Sequence, residues 1–210
     1  MQLHALASAT TLNQAAGAVT SLLDSALIYD LEREVFPAAV VAAPILLDII
    51  EHAHPRARFG ALDLLWEMLD LRPSSEFERV DTAQVPGLRL CCAIADHVRD
   101  RRGMLKLHGR PGQRVLTAAA RHWRFAIQEV VAADRGGVLV LGTLKGQLPD
   151  GPFEAELHSA LTIVTVPAVE TEYDRADEDD EAFLRLLGTA EAAIAPGAVL
   201  CPTDCAEDQS

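Results

Sequence analysis

Apolar residues recur at three- and four-residue steps through most of the first 133 positions of this 210-residue chain. That spacing places them on one face of an α-helix, whereas a half-buried strand requires strict alternation of apolar and polar residues. Short stretches rich in proline or glycine separate the periodic segments, so the recurring predicted unit is a helix, a turn and a second helix. The predicted helices cover roughly residues 12–31, 37–52, 56–71, 88–107 and 113–133.

Residues 136–168 fit two different structures. The apolar run 138–144 has the length of a buried strand, but a helix can carry the same run. Between 153 and 158, apolar residues alternate with Glu154, Glu156 and His158, and the following segment is rich in β-branched residues. Both features are typical of strands. Helix is the preferred interpretation, and a β-hairpin remains open.

One apolar segment resembles a known family. Residues 35–50, VFPAAVVAAPILLDII, carry the paired prolines Pro37 and Pro44 and resemble HEAT-type helical repeat proteins of the kind abundant in actinobacteria. Residues 104–122 strengthen the resemblance, which covers about residues 20–148 and rests on apolar pattern. It implies an all-α fold, a short irregular α-α superhelix whose stacked helix pairs leave a curved surface free for a partner.

The domain organisation expected from these patterns has four parts. Residues 1–168 form the HEAT-like helical repeat domain, and residues 169–181 form an acidic linker because dense like charge does not pack. Residues 182–195 have the apolar spacing of a short amphipathic helix. Residues 196–210 are expected to be a disordered tail.

Charge is distributed very unevenly along the chain. The net charge is −13, and the last sixty residues hold fourteen acids but only two bases. Such a balance argues against a general nucleic-acid binder and against adsorption to an anionic membrane.

Two clusters of like charge stand out. The first, called here the basic zone, could hold phosphates or simply be solvated helix faces. The second, called here the acidic segment, could dock on a basic partner, fold back on the basic zone or serve as an inert linker. The basic zone contains Arg99, Arg102, Lys106, Arg114, Arg121 and Arg124, and the acidic segment contains Asp174, Asp177, Glu178, Asp179, Asp180 and Glu181.

No motif in the chain predicts catalysis, metal binding or a cofactor. The glycine pair Gly137 and Gly142 is followed by Thr143 and Leu144, where a phosphate-binding loop needs lysine and then serine or threonine. The histidines form no HExxH motif, and the cysteines at 201 and 205 lack a second ligand pair nearby. We therefore expect a protein that is not an enzyme and has no metal or cofactor.

The compartment predicted from the sequence is the bacterial cytoplasm. The first basic residue is Arg33, so the N-terminus lacks the positive region of a secretory signal. The longest apolar run, 35–50, falls short of the roughly 20 residues that span a bilayer. Four cysteines do not make a disulfide framework in a chain of this length, which favours reduced thiols.

The leading hypothesis is a non-enzymatic protein-interaction module whose acidic segment binds another protein, most simply a basic one. Its most concrete version is a bacterial immunity or antitoxin-type inhibitor, in which an acidic protein masks a basic toxin domain. The alternative is a nucleic-acid-binding helical repeat that uses the basic zone on phosphates and is gated by the acidic segment.

Overall fold

The computed structural model describes residues 2–23, 27–29, 34–83, 85–132, 137–159, 162–174, 180–190, 194–195 and 197–204. Over these residues the chain divides into two compact units. The first takes in Met1–Val80 and Leu88–Ala119, and the second takes in Asp81–Gly87 and Ala120–Asp204.

The first unit is mainly helical. The N-terminus of α4 shows how the local sequence starts a helix. Pro55 supplies a preset φ at the first helical position. His54 caps the same helix by accepting a hydrogen bond from the Arg56 backbone N–H through Nδ1 at 3.3 Å. The helices are α1 (Gln2–Ala7), α2 (Leu12–Leu23), α3 (Ala38–His52), α4 (Pro55–Asp70), α5 (Leu90–Asp100), α6 (Arg102–Lys106) and α7 (Gly109–Ala120).

These helices share one apolar core, in which Leu46, Leu64 and Met68 are fully buried. The predicted helices over 37–52 and 56–71 are confirmed as α3 and α4. Five two-residue strands complete this part of the chain. They are β1 (Ile28–Tyr29), β2 (Glu34–Val35) and β3 (Arg72–Pro73) in one sheet, and β4 (Arg79–Val80) with β5 (Leu88–Arg89) in another.

The second unit is a closed, six-stranded antiparallel β-barrel. Around the barrel the strands follow the order β6, β7, β10, β9, β8, β11, and β11 pairs with β6 to close it. Strands β8, β9 and β10 are consecutive hairpin neighbours and β7 lies beside β10, which is a Greek-key arrangement. The strands are β6 (Arg124–Ala132), β7 (Val138–Lys145), β8 (Phe153–His158), β9 (Ile163–Asp174), β10 (Asp180–Leu187) and β11 (Val199–Pro202).

Inward-facing side chains fill the barrel. Along β7, buried and half-buried residues alternate from Val138 to Lys145, as expected when one face of a strand points into a core. Gly142 lies on the inward face, and a Cβ there would come within 2.1 Å of the Ala126 carbonyl oxygen and 2.8 Å of the Phe125 ring. Phe125 therefore occupies the space that a side chain at 142 would need.

The barrel overturns the all-α prediction and the HEAT resemblance. The apolar run 113–133 is not one helix, because α7 ends at Ala120 and β6 begins at Arg124. Of the two structures open for 136–168, the hairpin alternative matches the paired strands β8 and β9, β7 is also a strand, and the preferred helix is wrong. A stack of helix pairs cannot contain a closed sheet, so the chain is not a helical repeat protein.

The C-terminal expectations also change. Residues predicted as a helix over 182–195 begin within β10, which ends at Leu187. The predicted acidic linker 169–181 overlaps the end of β9 and the start of β10. Within the predicted disordered tail, Val199–Pro202 forms β11, whose pairing with β6 and β8 closes the barrel.

Among the described residues, no helix combines the length and the apolar composition that crossing a bilayer requires.

Candidate functional site

The acidic segment lies at the turn between two paired barrel strands. Asp174 ends β9 and Asp180 begins β10, and Ala182 pairs with Asp174 in the antiparallel register. Glu181 is exposed. Three of the predicted partner-binding residues, Asp177, Glu178 and Asp179, lie outside the described residues. Strand pairing therefore brings the two ends of the acidic segment together at one end of the barrel.

An apolar patch, called here the outer patch, lies on the outside of the barrel wall formed by β6, β7 and β10. Its residues alternate with the inward-facing ones, and four of them stand opposite one another in the register, Leu139 beside Val131 and Leu141 beside Phe183. Val131 is 43% exposed, and the others are half-buried. The outer patch consists of Val131, Leu139, Leu141, Phe183 and Leu187.

Charged side chains surround the outer patch. Glu129 stands opposite Leu141 in the register, and Glu181 precedes Phe183 by two positions on the same face of β10. Arg185 lies within the outer patch, opposite Leu139 in the register, and its charge is paired with Glu172 through its Nε. An apolar centre with a charged rim is the usual anatomy of a protein interface.

The basic zone does not form one free cationic surface. The Arg99 guanidinium bonds the Asp96 carboxylate at 2.6 Å and the Ala119 carbonyl oxygen at 3.0 Å. Arg102, Lys106, Arg121 and Arg124 also have interaction partners. The zone is moreover divided between the two units, with Arg121 and Arg124 in the second.

Arg114 is the basic-zone residue with the most distinctive surroundings. Its guanidinium carbon lies 3.3 Å from the centre of the Trp66 ring, which is a cation–π contact between α7 and α4. Partial burial raises the pKa of Asp63, and the positive charge of Arg114 opposes that rise. Burial is the main cause that lowers the pKa of His108, and the positive charge of Arg58 lowers it further.

One exposed group on α3 has the residue types of a metal site. Asp48, Glu51 and His52 bring their ligand atoms within 4.8 Å of one another. Arg101 already binds both carboxylates, at 3.2 Å from Asp48 and 2.6 Å from Glu51. The His52 Nδ1 lies 3.1 Å from the Asp48 carbonyl oxygen. The Arg101 guanidinium therefore already bonds both carboxylates and offsets one of their two negative charges, and nothing in the geometry requires a metal ion.

A cavity of about 390 Å³ lies against α1 and α2. Two of its polar side chains bond locally: the Ser8 hydroxyl donates to the His4 carbonyl oxygen, and the Gln14 side chain accepts from the backbone N–H groups of Thr10 and Thr11. The remaining lining is mostly alanine, glycine and serine. The cavity presents no group with evident chemistry.

The cysteines differ from the expected set of reduced thiols. Cys91 is disulfide-bonded. Cys92 and Cys201 are buried free thiols.

The sequence reasoning missed a buried pair of hydrogen-bonding side chains on the barrel. Glu156 and His158 were expected on a polar strand or helix face, yet their residues are only 5% and 2% exposed. The His158 Nε2 lies 3.0 Å from the Glu156 carboxylate. Their two-residue spacing places both side chains on one strand face, but no feature of the sequence shows that this face is covered.

No protein-family model matches the chain, and no curated protein matches it either.

Proposed function

We propose that this protein is a non-enzymatic binding module for a basic protein, which docks on the outer patch beside the acidic segment. The observation that carries the proposal is the position of the outer patch: half-buried apolar side chains on three adjacent strands of a barrel whose inside is already filled. Side chains that face outward from a filled barrel contribute nothing to its interior, and contiguous exposed apolar residues commonly mark interaction sites.

The charge of the partner is inferred from the rim of the patch. Glu129 and Glu181 flank the apolar side chains, and the acidic segment continues from the same end of β10. On a chain with a net charge of −13, this concentration of acids attracts a cationic surface and steers its approach.

The finer version of the proposal is an inhibitor of the immunity or antitoxin type, in which the acidic protein masks a basic toxin domain. Its support is charge complementarity together with the absence of a recognised catalytic motif in the sequence. A nucleic-acid role gains no support from the described contacts, since Arg99 is bound to Asp96 and Arg114 stacks on Trp66.

The first experiment identifies the partner. Tagged wild-type protein and a Val131→Lys variant are used in parallel to capture proteins from nuclease-treated host lysate, which is then analysed by mass spectrometry. We expect a stoichiometric basic protein with the wild type and at least about a tenfold lower yield with Val131→Lys, because a lysine would place a buried positive charge in the interface. Val164→Lys, at a residue 49% exposed on β9 and outside the patch, is the matched control.

The second experiment measures association with the protein so identified. Replacing Asp177, Glu178 and Asp179 by their amides should lower the association rate constant about tenfold and flatten its dependence on salt, because electrostatic steering acts on encounter. Amides at Glu76, Asp150 and Glu154, all exposed, remove the same charge elsewhere and should leave most of the rate intact. Equal association rates for the two triple variants would contradict the assignment of the acidic segment.

A further inference from the structure

The first part of β9 has a neighbouring strand on one side only. β9 pairs with β8 over residues 163–169, but its pairing with β10 covers only residues 168–174. Among the described residues, no strand pairs with the other side of residues 163–166, called here the open edge. Pro167, which has no N–H, separates the open edge from the part of β9 that β10 covers.

The hydrogen-bonding pattern of β9 decides which of its backbone groups point toward the open edge. At the turn between β8 and β9, the Ser159 N–H donates to the Thr162 carbonyl oxygen at 2.9 Å, so these two residues form a bonded pair. Bonded and non-bonded pairs alternate along an antiparallel ladder, which makes Val164 the next residue of β9 that bonds to β8. The N–H and C=O groups of Ile163 and Thr165 therefore point away from β8.

Within the described part of the chain, no backbone group bonds these outward-pointing groups. Neither strand pairing nor the hydrogen bonds outside the strands give them a partner. Thr165 is exposed, and Ile163 and Val164 are 41% and 49% exposed. Two N–H donors and two C=O acceptors thus stand in one row beside exposed β-branched side chains. A further strand can pair with such a row.

The open edge lacks the charged side chains that commonly keep strand edges apart. Residues 159–169 contain no charged residue, although the net charge of the chain is −13. On β6 the situation differs: β11 pairs with it at Phe125 and Ala126, and the stretch beyond them carries the exposed Glu129. Two copies that met along that stretch would bring like charges together, whereas two copies that meet at the open edge would not. An uncharged strand is therefore the matching partner for the open edge.

We propose that the open edge pairs with the open edge of a second copy of this chain, with a two-fold axis at Val164. Identical strands related by such an axis run antiparallel. Ile163 then stands opposite Thr165 of the second copy, and each of the two equivalent pairs exchanges two backbone hydrogen bonds. This register satisfies all the outward-pointing groups of Ile163 and Thr165. Moving the axis to Thr165 would place Ile163 opposite Pro167, which has no N–H to donate.

The length of the open edge sets the strength of the dimer. A ribbon with three paired residues in each copy buries less than about 1,200 Å² in total, the lower limit for stable interfaces of standard size. The dimer is therefore weak and reversible. We expect a dissociation constant of about 0.01–1 mM.

The first test is sedimentation equilibrium of the full chain from about 1 μM to about 1 mM, a range that covers the expected dissociation constant. Wild-type protein should pass from monomer to dimer over this range, because a two-fold contact closes on itself. Protein that remains monomeric up to about 1 mM would overturn the proposal.

Two variants assign the dimer to the open edge. Thr165→Pro removes an N–H that the barrel itself does not use, and proline is tolerated where the N–H of an edge strand faces solvent. Two of the four intermolecular bonds disappear, so we expect dimerisation at least about tenfold weaker. Val164→Lys places two positive charges directly opposite each other at the axis and should weaken the dimer about fivefold.

The matched control is Thr171→Lys. Thr171 is exposed and lies on the same strand, but it pairs with Leu184 of β10. This variant should dimerise as the wild type does. Wild-type dimerisation in both Thr165→Pro and Val164→Lys would show that the copies meet elsewhere. Val164→Lys leaves the outer patch intact, so it should lose the dimer and still capture the basic protein, which separates this proposal from the proposed function.

Amide hydrogen exchange of the wild type measures the proposed bonds directly. The N–H groups of Ile163 and Thr165 should be unprotected in the dilute monomer and gain at least about twofold protection at concentrations well above the dissociation constant. The Val164 N–H, which is bonded to β8, should be protected at both concentrations. Dimerisation that leaves Ile163 and Thr165 unprotected would overturn the proposal. Protection of these two amides only in the complex with the captured basic protein would assign the open edge to that protein and also overturn it.

Discussion

The Arg114 guanidinium on α7 stacks on the Trp66 ring of α4, with its central carbon 3.3 Å from the ring centre. Both side chains come from the helical unit, and the contact joins two helices that the sequence separates by some forty residues. Cation–π contacts at partly exposed sites stabilise by about 0.5–1 kcal/mol. The contact therefore gives this member of the basic zone a structural role.

The first prediction concerns this contact. Arg114→Ala should lower the free energy of unfolding by about 0.5–1 kcal/mol, measured by urea denaturation. Arg110→Ala, an exposed arginine on the same helix, is the matched control and should change stability by less than about 0.5 kcal/mol. Equal losses in the two variants would show that the stacking on Trp66 contributes nothing specific.

The second prediction follows from the raised pKa of Asp63. Burial disfavours the charged carboxylate in the folded state, so this residue contributes stability at pH values below its unfolded pKa, and that contribution is lost as pH rises through the folded pKa. Asp63→Asn should therefore raise stability at neutral pH and lose this advantage at acidic pH. Thermal unfolding at pH values on both sides of the carboxylate range tests it, and a variant less stable at neutral pH would contradict it.

The third prediction concerns the inward face of β7. Gly142→Ala should destabilise the barrel by about 3 kcal/mol or more, because the new Cβ would lie 2.1 Å from the Ala126 carbonyl oxygen. Gly17→Ala in α2 has open space around the new methyl group and should stabilise by about 0.5–1 kcal/mol. Chemical denaturation of both variants gives the comparison, and a tolerated Gly142→Ala would mean that β6 and β7 can separate locally at little cost.

The fourth prediction concerns the ion pairs of Arg101 with Asp48 and Glu51. All three side chains are well exposed, so Arg101→Ala should cost less than about 1 kcal/mol. The loss should disappear at about 1 M salt, where charges are screened over about 3 Å. Urea unfolding at low and high salt measures it, and a loss that persists in high salt would assign the arginine a packing role instead.

Sequence periodicity predicted helices correctly where the residues that start or stop a helix mark its ends. The boundary between α3 and α4 follows from His54 and Pro55, and the structure agrees within a residue or two. The same reasoning failed beyond Ala120, since Val115, Ala119, Trp123 and Ile127 have helical spacing. Phe125 and Ile127 also alternate with half-buried or exposed neighbours, and pairing with β7 decides between the two patterns.

The prediction for the acidic segment differs from the structure for another reason. Its charge density predicts a solvated linker, yet the residues on either side of it alternate and pair across β9 and β10. Local composition does not show that the two flanks meet, because their pairing is set by the barrel. The outer patch and the Glu156–His158 pair could not be predicted from the sequence for the same reason. Each depends on which strands become neighbours or on what covers a strand face.

Closure of the barrel also limits the ways in which this protein can recognise anything. Among the described residues, every one of the six barrel strands pairs with a neighbour on both sides, so none of them is an edge strand along its whole length. Hydrogen bonds between backbone groups do not depend on the partner's sequence, whereas contacts between side chains distinguish one partner sequence from another. A partner that docks on the barrel wall is therefore selected mainly by contacts between side chains, which makes single substitutions on the outer wall informative about specificity.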